Sequence, residues 1–225
     1  MTTRSMRRIA VVACCAAMVH ASVSPVAAGA GQLPAKRKQA RIIHSVATKD
    51  PVFFITIDDG SVVTPALAQY LDTNKIPVTT FALPEPLHRH KWWYLKRKRM
   101  TFENHTNQHM SLTLKSLKAQ KKEICEGSRL VRKITGESPR FFRPPFGNRN
   151  AFTPRAVKAC GMDYIVLWSV EADFGRVNVF GGRGLRRGDI VLLHYIQSLR
   201  TSLERVMEVA KASGLRPALL RDYLD

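Results

Sequence analysis

Two short polar motifs in the sequence contain the residue types that bind metal ions. Asp58 and Asp59 stand directly before Gly60, and His105 and His109 form an H-x-x-x-H pattern. Two imidazoles and one carboxylate are the usual protein ligands of an open catalytic zinc site, where a water takes the remaining position. A spacing of four would place both imidazoles on one face of a helical turn. The second carboxylate could then accept a proton from that water.

Each of these motifs also has a simpler interpretation when it is taken alone. An Asp-Asp-Gly sequence suits a solvated turn, and a pair of histidines can serve a structural role. His194, at the end of an apolar run, could supply a general acid or could be a core histidine bonded to backbone. Their combination in one chain favours a metal site with a base and an acid beside it.

The elements that position these motifs alternate between apolar strands and amphipathic helices. Strands are predicted at residues 52–57, 78–82, 101–104, 141–143, 164–168, 190–194 and 216–220. Helices are predicted at residues 65–72, 113–135, 154–159 and 203–212. Fully apolar strands that alternate with helices indicate an α/β protein with a parallel sheet covered by helices. The polar motifs follow strands, so the chemistry is expected at the carboxyl ends of the sheet.

The motifs also occur in the order of a known family. Residues 56–60 (TIDDG), 105–109 (HTNQH), 143–147 (RPPFG) and 189–194 (DIVLLH) together resemble the polysaccharide deacetylases, the NodB homology domain of carbohydrate esterase family four. The resemblance spans about residues 51–220. It implies a distorted, incomplete (β/α) barrel of about seven strands, and a hydrolase that acts on carbon–nitrogen bonds other than peptide bonds.

The resemblance implies a metal centre and a base. Asp59, His105 and His109 would bind a divalent metal ion, with zinc as the first choice. Asp58 would be the general base, and Arg143 would orient it and balance its charge. The metal ion would polarise the carbonyl of an N-acetyl group and lower the pKa of its bound water, so that a nucleophile forms near neutral pH.

The same resemblance assigns the groups that complete the reaction. The backbone N–H of Phe146 would help to hold the oxyanion, Leu192 would line the acetyl pocket, and His194 would protonate the departing amine. The family's acidic string before the last block is one residue shorter in this sequence. Asp173 is the predicted carboxylate partner of Arg143, and Glu171 is the alternative.

The charge of the chain is strongly one-sided. It has 225 residues, with 36 Lys and Arg against 17 Asp and Glu, and a formal net charge of +19. Such a surface favours anionic surroundings such as nucleic acid, anionic lipid or a charged cell-wall polymer. No apolar run reaches the roughly 18–20 residues that a membrane span needs. Composition therefore excludes a polytopic membrane protein, and a span after signal cleavage is not expected.

The amino terminus has the pattern of a secretory signal. Arg4, Arg7 and Arg8 precede an apolar stretch over residues 9–19, and residues 28–30 read A-G-A, the order of an n-region, an h-region and a cleavage site. We therefore expect residues 1–30 to be a signal peptide, which predicts a secreted or cell-wall-associated protein. Residues 31–50 are expected to be a basic linker or surface segment, and residues 51–225 the catalytic domain.

Three further features leave alternatives open. Cys125 and Cys160 could form a disulfide in an exported chain or remain reduced and buried. The aromatic residues 92–94 could stack on a sugar or pack in the core. The basic residues within 88–99 could be a solvated face or could attract an anionic wall polymer.

The sequence therefore predicts an exported, metal-dependent N-deacetylase that acts on N-acetylglucosamine units of a polysaccharide. Peptidoglycan is the first expected substrate, followed by chitin-like oligomers and acetylated xylan, and no nucleic acid partner is expected. One alternative is an amide hydrolase with a small, non-carbohydrate substrate. Another is a noncatalytic wall-binding or nucleic-acid-binding protein on the same fold, although binding alone would not require the metal and base residues.

Overall fold

The computed structural model describes Met1 and residues 38–224. The predicted signal peptide, apart from Met1, and the first part of the predicted linker, residues 31–37, lie outside the described residues. No helix in residues 38–224 has both the length and the apolarity that crossing a membrane requires.

Ten strands in the described region form one curled sheet. They are β1 (Arg41–Ile43), β2 (Val52–Asp59), β3 (Val78–Ala82), β4 (Met100–Asn104), β5 (Phe141–Phe142), β6 (Tyr164–Val166), β7 (Val170–Glu171), β8 (Asn178–Val179), β9 (Ile190–His194) and β10 (Arg216–Ala218). The strand order is β1-β6-β5-β4-β3-β2-β9-β7-β8, and β10 pairs with the first part of β2. All pairs are parallel except β7 with β8. The predicted incomplete (β/α) barrel is confirmed, and the strands beyond the expected seven are the short β1, β7 and β8.

Six helices of the described region flank the sheet: α1 (Pro65–Thr73), α2 (Pro84–Arg89), α3 (Lys91–Tyr94), α4 (Leu117–Thr135), α5 (Thr153–Ala159) and α6 (Leu199–Ala212). The predicted start of the longest helix at residue 113 is wrong. Ser116 is its N-cap and its side chain accepts a hydrogen bond from the Ala119 N–H, which satisfies one of the free donors at the first turn. The helix ends at Thr135, the predicted last residue, and Gly136 caps it in the left-handed conformation. Helix α6 begins four residues earlier than predicted.

Residues 38–50, in the part predicted to be a basic linker or surface segment, contribute an edge strand to the sheet. Strand β1 pairs in parallel with β6, and Arg41 is the register partner of Tyr164. Ala40 and Val46 are buried on either side of this strand. The short strand was missed because Ile42 and Ile43 are flanked by basic and polar residues, so no apolar run marks it.

The side chains of β2 alternate between two faces, as they must in a strand. Phe53 and Ile57 belong to the core under the helices, whereas Phe54 belongs to a second core that fills the barrel. Thr56 and Asp58 continue the interior face towards the carboxyl end of the strand, and both are buried. The barrel interior is therefore apolar at its amino-terminal end and carries the polar motif at its carboxyl-terminal end.

A disulfide joins Cys125 of α4 to Cys160, the residue that follows α5. It resolves the alternative that the sequence leaves open between a bonded and a reduced pair. The bridge links two helices that pack against each other, and their side chains share one hydrophobic cluster with those of β5 and β6.

Candidate active site

The first site element is the turn that carries the two aspartates. Asp59 ends β2 with φ of 75°, and Gly60 follows with φ of 101°. The Tyr94 hydroxyl donates a hydrogen bond to the carbonyl of Gly60 at 2.9 Å. A Cβ at position 60 would lie 2.9 Å from that hydroxyl oxygen, which is too close for a side chain. Gly60 is therefore required both by its conformation and by the close approach of Tyr94.

Both histidines lie on the segment after β4. His105 follows the strand directly, and the chain over residues 105–109 is irregular, with φ of 73° at Thr106 and 56° at His109. The expectation that the H-x-x-x-H spacing forms a helical turn is therefore wrong. The side-chain oxygen of Thr106 accepts from the N–H of His109 at 3.0 Å, so a local hydrogen bond replaces the helical ones.

Helix α4 supports this histidine loop. The Asn104 amide donates to the carbonyl of Ile124 at 2.7 Å and to the Ser128 hydroxyl at 2.6 Å, and its oxygen accepts from the N–H of Thr106 at 2.7 Å. A Cβ on Gly127 would lie 2.7 Å from the carbonyl carbon and oxygen of Thr106. These supporting residues were not among those predicted from the sequence. The signal was present, because a glycine inside a long helix is unfavourable and indicates a close approach.

The turn and the loop bring three ligand groups together. The possible ligand atoms of Asp59, His105 and His109 lie within 4.8 Å of one another. The Nε2 atoms of His105 and His109 are 3.6 Å and 3.4 Å from Asp59 Oδ1. That oxygen is buried and has no hydrogen-bond partner. A buried carboxylate oxygen needs a partner, so the three residues fit a cation held between them, and their N and O donors suit zinc.

The protonation state of His105 suits a metal ligand. Its Nδ1 lies 2.8 Å from the carbonyl oxygen of Arg143, so Nδ1–H donates and the lone pair of Nε2 faces the aspartates. Burial lowers the pKa of His105 to about 3, although the charge of Asp59 opposes this change. The ring is therefore neutral at neutral pH, which is the form that coordinates a cation.

Asp58 is a buried carboxylate that Arg143 holds in place. Arg143 Nη1 donates to Asp58 Oδ1 at 2.7 Å, while its Nε and Nη2 donate to the carbonyls of Val166 and Leu167 at 3.0 Å and 3.3 Å. Burial raises the pKa of Asp58 above its ordinary value, and the charges of Arg143 and His194 oppose this rise. Oδ2 lies 3.7 Å from the Nε2 atom of His105, on the side of the three ligands, as a base would require.

His194 ends β9 and is the register partner of Asp58 on the neighbouring β2. Its Nδ1 lies 2.8 Å from Asp173 Oδ2, and its backbone N–H donates to Asp173 Oδ1 at 3.3 Å. The predicted pairing of Asp173 with Arg143 is therefore wrong, since Arg143 bonds Asp58. The alternative, Glu171, is also wrong because its carboxylate accepts from Trp168 Nε1. Asp173 follows β7, which pairs in parallel with β9, and both of its carboxylate oxygens contact His194 at the end of β9.

The remaining predicted residues also lie at this end of the barrel. Phe146 has φ of 60°, and its exposed ring packs edge-on against His109 with centroids 4.7 Å apart. Leu192 is buried on β9, two residues before His194 and on the same face.

Backbone strain is concentrated at this end of the barrel. Most of the described non-glycine residues with positive φ belong to the site or adjoin it: Asp59, Thr106, His109, Phe146 and Phe174. Such strain is typical of active sites.

The aromatic residues 92–94 divide between core and surface. Trp93 and Tyr94 are buried, and Trp93 Nε1 donates to the carbonyl of Thr64 at 2.9 Å. Trp92 is exposed. The packing interpretation is therefore correct for Trp93 and Tyr94, and Tyr94 also supports the aspartate turn.

The fold is an incomplete parallel barrel with carboxylates and imidazoles at the carboxyl ends of its strands. The family 4 carbohydrate esterases are proteins of this class. The family model for polysaccharide deacetylase matches residues 45–165, more than half of the chain. An uncharacterised protein of Streptomyces coelicolor is 33% identical over 197 residues, which are 84% of this chain and 79% of that protein. The chain belongs to the polysaccharide deacetylase family.

Solved structures share the fold at low sequence identity. One match is a mutant of a CE4-family pseudoenzyme from Bacillus anthracis, and the mutant has restored enzymatic activity. Its TM-score is 0.70 and its identity 19%, over 82% of this chain and 71% of that one. A peptidoglycan N-acetylglucosamine deacetylase matches with a TM-score of 0.69 and 23% identity, over 83% and 93% of the two chains. The fold is thus found in both an active enzyme and a pseudoenzyme, and only the residues of the site can separate these roles.

Proposed function

We propose that the protein is an exported, metal-dependent N-deacetylase that acts on N-acetylglucosamine units of a polysaccharide, with peptidoglycan as the first substrate. The observation that carries this proposal is the convergence of a three-residue ligand group, a buried carboxylate and a carboxylate-bound histidine at one end of the barrel. Binding of a glycan alone would not require these groups. The peptidoglycan deacetylase among the structures of the same fold supports the choice of polymer.

Asp59, His105 and His109 would hold the metal ion, and zinc is our first choice for it. When bound there, the ion would supply Lewis-acid chemistry at the acetyl carbonyl. Asp58 would accept the proton of the attacking water through Oδ2, since Arg143 occupies Oδ1. The backbone N–H of Phe146 would stabilise the negative oxygen that forms on the acetyl group, and Leu192 would contact its methyl group.

His194 would complete the reaction by protonating the amine. An amide nitrogen is a poor leaving group unless it receives a proton. Asp173 fixes Nδ1 of the ring and leaves Nε2 as the atom that would deliver the proton. Burial lowers the pKa of His194, but the hydrogen bond to Asp173 and the charge of Asp58 outweigh it, so that the pKa lies above its ordinary value. A raised pKa increases the charged fraction of this acid at neutral pH.

A groove beside the site supports a glycan substrate. A cavity of about 860 Å³ extends from His109 between α2 and α4. Its apolar wall includes Leu83, Leu130 and Ile134, and polar and basic side chains line the remainder. Sugars bind through both kinds of contact, because their rings have apolar faces and hydroxyl edges.

The proposal of export rests on residues 1–30 and on the disulfide. Disulfides form and persist in oxidising compartments outside the cytoplasm, and Cys125 is bonded to Cys160. The charge of the chain agrees with an anionic cell wall as its surroundings.

The experiment compares the purified protein with the Asp58→Asn variant. We expect zinc to bind both proteins, whereas acetate release from chitin oligomers and from peptidoglycan falls by about 10²-fold or more in the variant. His109→Ala is the matched comparison, and we expect it to lose both the metal and the activity. Zinc binding without acetate release from any glycan would favour the amide hydrolase with a non-carbohydrate substrate, or a noncatalytic protein such as the pseudoenzyme of the same fold.

A further inference from the structure

A second group of charged residues lies at the opposite end of the barrel from the proposed active site. A cavity of about 280 Å³ opens beside the amino-terminal end of β4. We call its cationic residues, with those of the adjoining cavity, the basal basic surface: Lys75, Lys96, Arg97, Lys98, Arg99 and Arg216. The first cavity contains a single carboxylate, that of Asp72.

The second cavity, of about 410 Å³, shares Lys98 and Arg99 with the first. It adds Arg216 at the start of β10, together with the carboxylates of Asp50 and Asp222. Two adjoining cavities that share cations can accept successive anions of one polymer, whereas a single small anion would need only one of them.

The cations of this surface are largely free of acidic partners. Among the described residues, no carboxylate lies within 4.0 Å of the side-chain nitrogens of Lys75, Lys96, Lys98 or Arg99. All four residues are exposed. Adjacent like charges repel one another, so a bound anion would relieve this repulsion as well as pair with them.

The guanidinium of Arg97 is only partly satisfied by hydrogen bonds within the described residues. Its side chain is 12% exposed, and its guanidinium lies over the ring of Trp93, 5.4 Å from the centroid. Its Nη1 is 3.1 Å from Asp72 Oδ2 but is not aligned for a hydrogen bond, and both Nε and Nη1 are buried without an acceptor. Buried donors without acceptors are costly and uncommon. An anion in the cavity that Arg97 lines would add to the single negative charge of Asp72 beside this guanidinium.

We propose that the basal basic surface binds the phosphate groups of an anionic cell-wall polymer, such as a chain of alditol phosphates. This proposal rests on the export that is part of the proposed function. A disulfide is typical of chains in an oxidising compartment outside the cytoplasm, where wall polymers are a more available polyanion than nucleic acid. Strands β3 and β4 each have five residues, which separates the two ends of the barrel by about 17 Å. A polymer bound at the base would therefore leave the active-site groove free for glycan.

The test measures binding of poly(glycerol phosphate) to the full protein by fluorescence anisotropy or calorimetry. The variant carries Lys96→Gln, Lys98→Gln and Arg99→Gln, which remove three exposed charges of the basal basic surface. We expect roughly tenfold weaker binding and a weaker dependence on salt. The melting temperature should be unchanged, because the three side chains are exposed.

The matched control removes three exposed charges from α4 through Lys118→Gln, Lys121→Gln and Lys122→Gln. Its affinity for poly(glycerol phosphate) should stay close to that of the wild type. An equal loss in both variants would overturn the proposal, since the attraction would then depend on net charge alone.

Two further polyanions test the chemistry of the ligand. Polyglutamate of the same length should bind more weakly, and equal binding would overturn the preference for phosphate. Tighter binding of single-stranded DNA would overturn the choice of a wall polymer in favour of nucleic acid.

Acetate release from short chitin oligomers should be the same in the basal variant and in the wild type. Measuring both quantities separates the two proposals. Loss of polymer binding would leave the deacetylase activity intact, and polymer binding can be measured whether or not the protein releases acetate.

Discussion

The Nδ1 atom of His194 lies 2.8 Å from the Oδ2 atom of Asp173, and the same carboxylate accepts the backbone N–H of His194. Asp173 therefore fixes both the ring and the end of β9 on which the ring stands. Arg143 makes the corresponding contact with Asp58 on the other side of the site. The proposed acid and the proposed base each have a partner of opposite charge, and the two pairs are separate.

The first prediction concerns the proton donor. Because Asp173 raises the pKa of His194, Asp173→Asn should lower it, so the imidazole loses its proton at a lower pH. We expect the alkaline limb of the kcat profile to move to lower pH and kcat to fall by about 10²-fold. Glu171→Gln is the control, since Glu171 bonds Trp168 and should leave the limb in place. An unmoved limb in Asp173→Asn would remove His194 from the role of acid.

The second prediction concerns the buried pair of Arg143 and Asp58. Arg143 is fully buried, so Arg143→Gln leaves the Asp58 carboxylate in the interior without a countercharge. We expect the free energy of unfolding in urea to fall by about 3–5 kcal/mol. Arg205→Gln breaks an exposed pair with Glu208 and should cost at most about 1 kcal/mol. Equal losses in the two variants would contradict the importance of burial at Arg143.

The third prediction tests the contact of α4 with the histidine loop. Gly127→Ala would place a methyl group 2.7 Å from the backbone of Thr106, so the loop that carries His105 and His109 must shift. We expect a loss of stability of about 1–3 kcal/mol and weaker zinc binding, measured by competition with a chelator. Gly184→Ala is the control, because nothing lies within 4 Å of a Cβ there. Normal zinc affinity in Gly127→Ala would show that the loop tolerates the shift.

The fourth prediction concerns the disulfide. The bond between Cys125 and Cys160 closes a segment with a sequence separation of 35, which restricts the unfolded chain. The double variant Cys125→Ser, Cys160→Ser should lose about 2–4 kcal/mol of unfolding free energy. The oxidised wild type should lose a similar amount when dithiothreitol is added, whereas the double variant should not respond to the reductant. A wild type that is insensitive to reductant would contradict a stabilising role of this bond.

Most of the sheet could be predicted from the sequence, because strand formation depends on local patterns. The apolar runs at residues 78–82 and 190–194 coincide with β3 and β9. Short β1 and β7 could not be predicted in this way. Each has only two or three residues, and their stability comes from neighbours that are distant in the chain.

The sequence by itself determined the types and order of the polar residues at the carboxyl ends of the strands. It also determined the family, because the blocks that carry Asp58, His105, Arg143 and His194 are local and ordered. Residue type and strand periodicity suffice for such inferences, since they depend only on neighbours in the chain.

Only the tertiary structure decided which charges are partners. Arg143 bonds Asp58, 85 residues away, and Asp173 bonds His194, 21 residues away. Both pairings depend on the register of strands that meet only in the folded sheet. The loop conformation of the two histidines was likewise decided by the packing of α4 at Gly127. The grouping of basal cations from residues 75, 96–99 and 216 also required the fold, because no pattern within one segment brings them together.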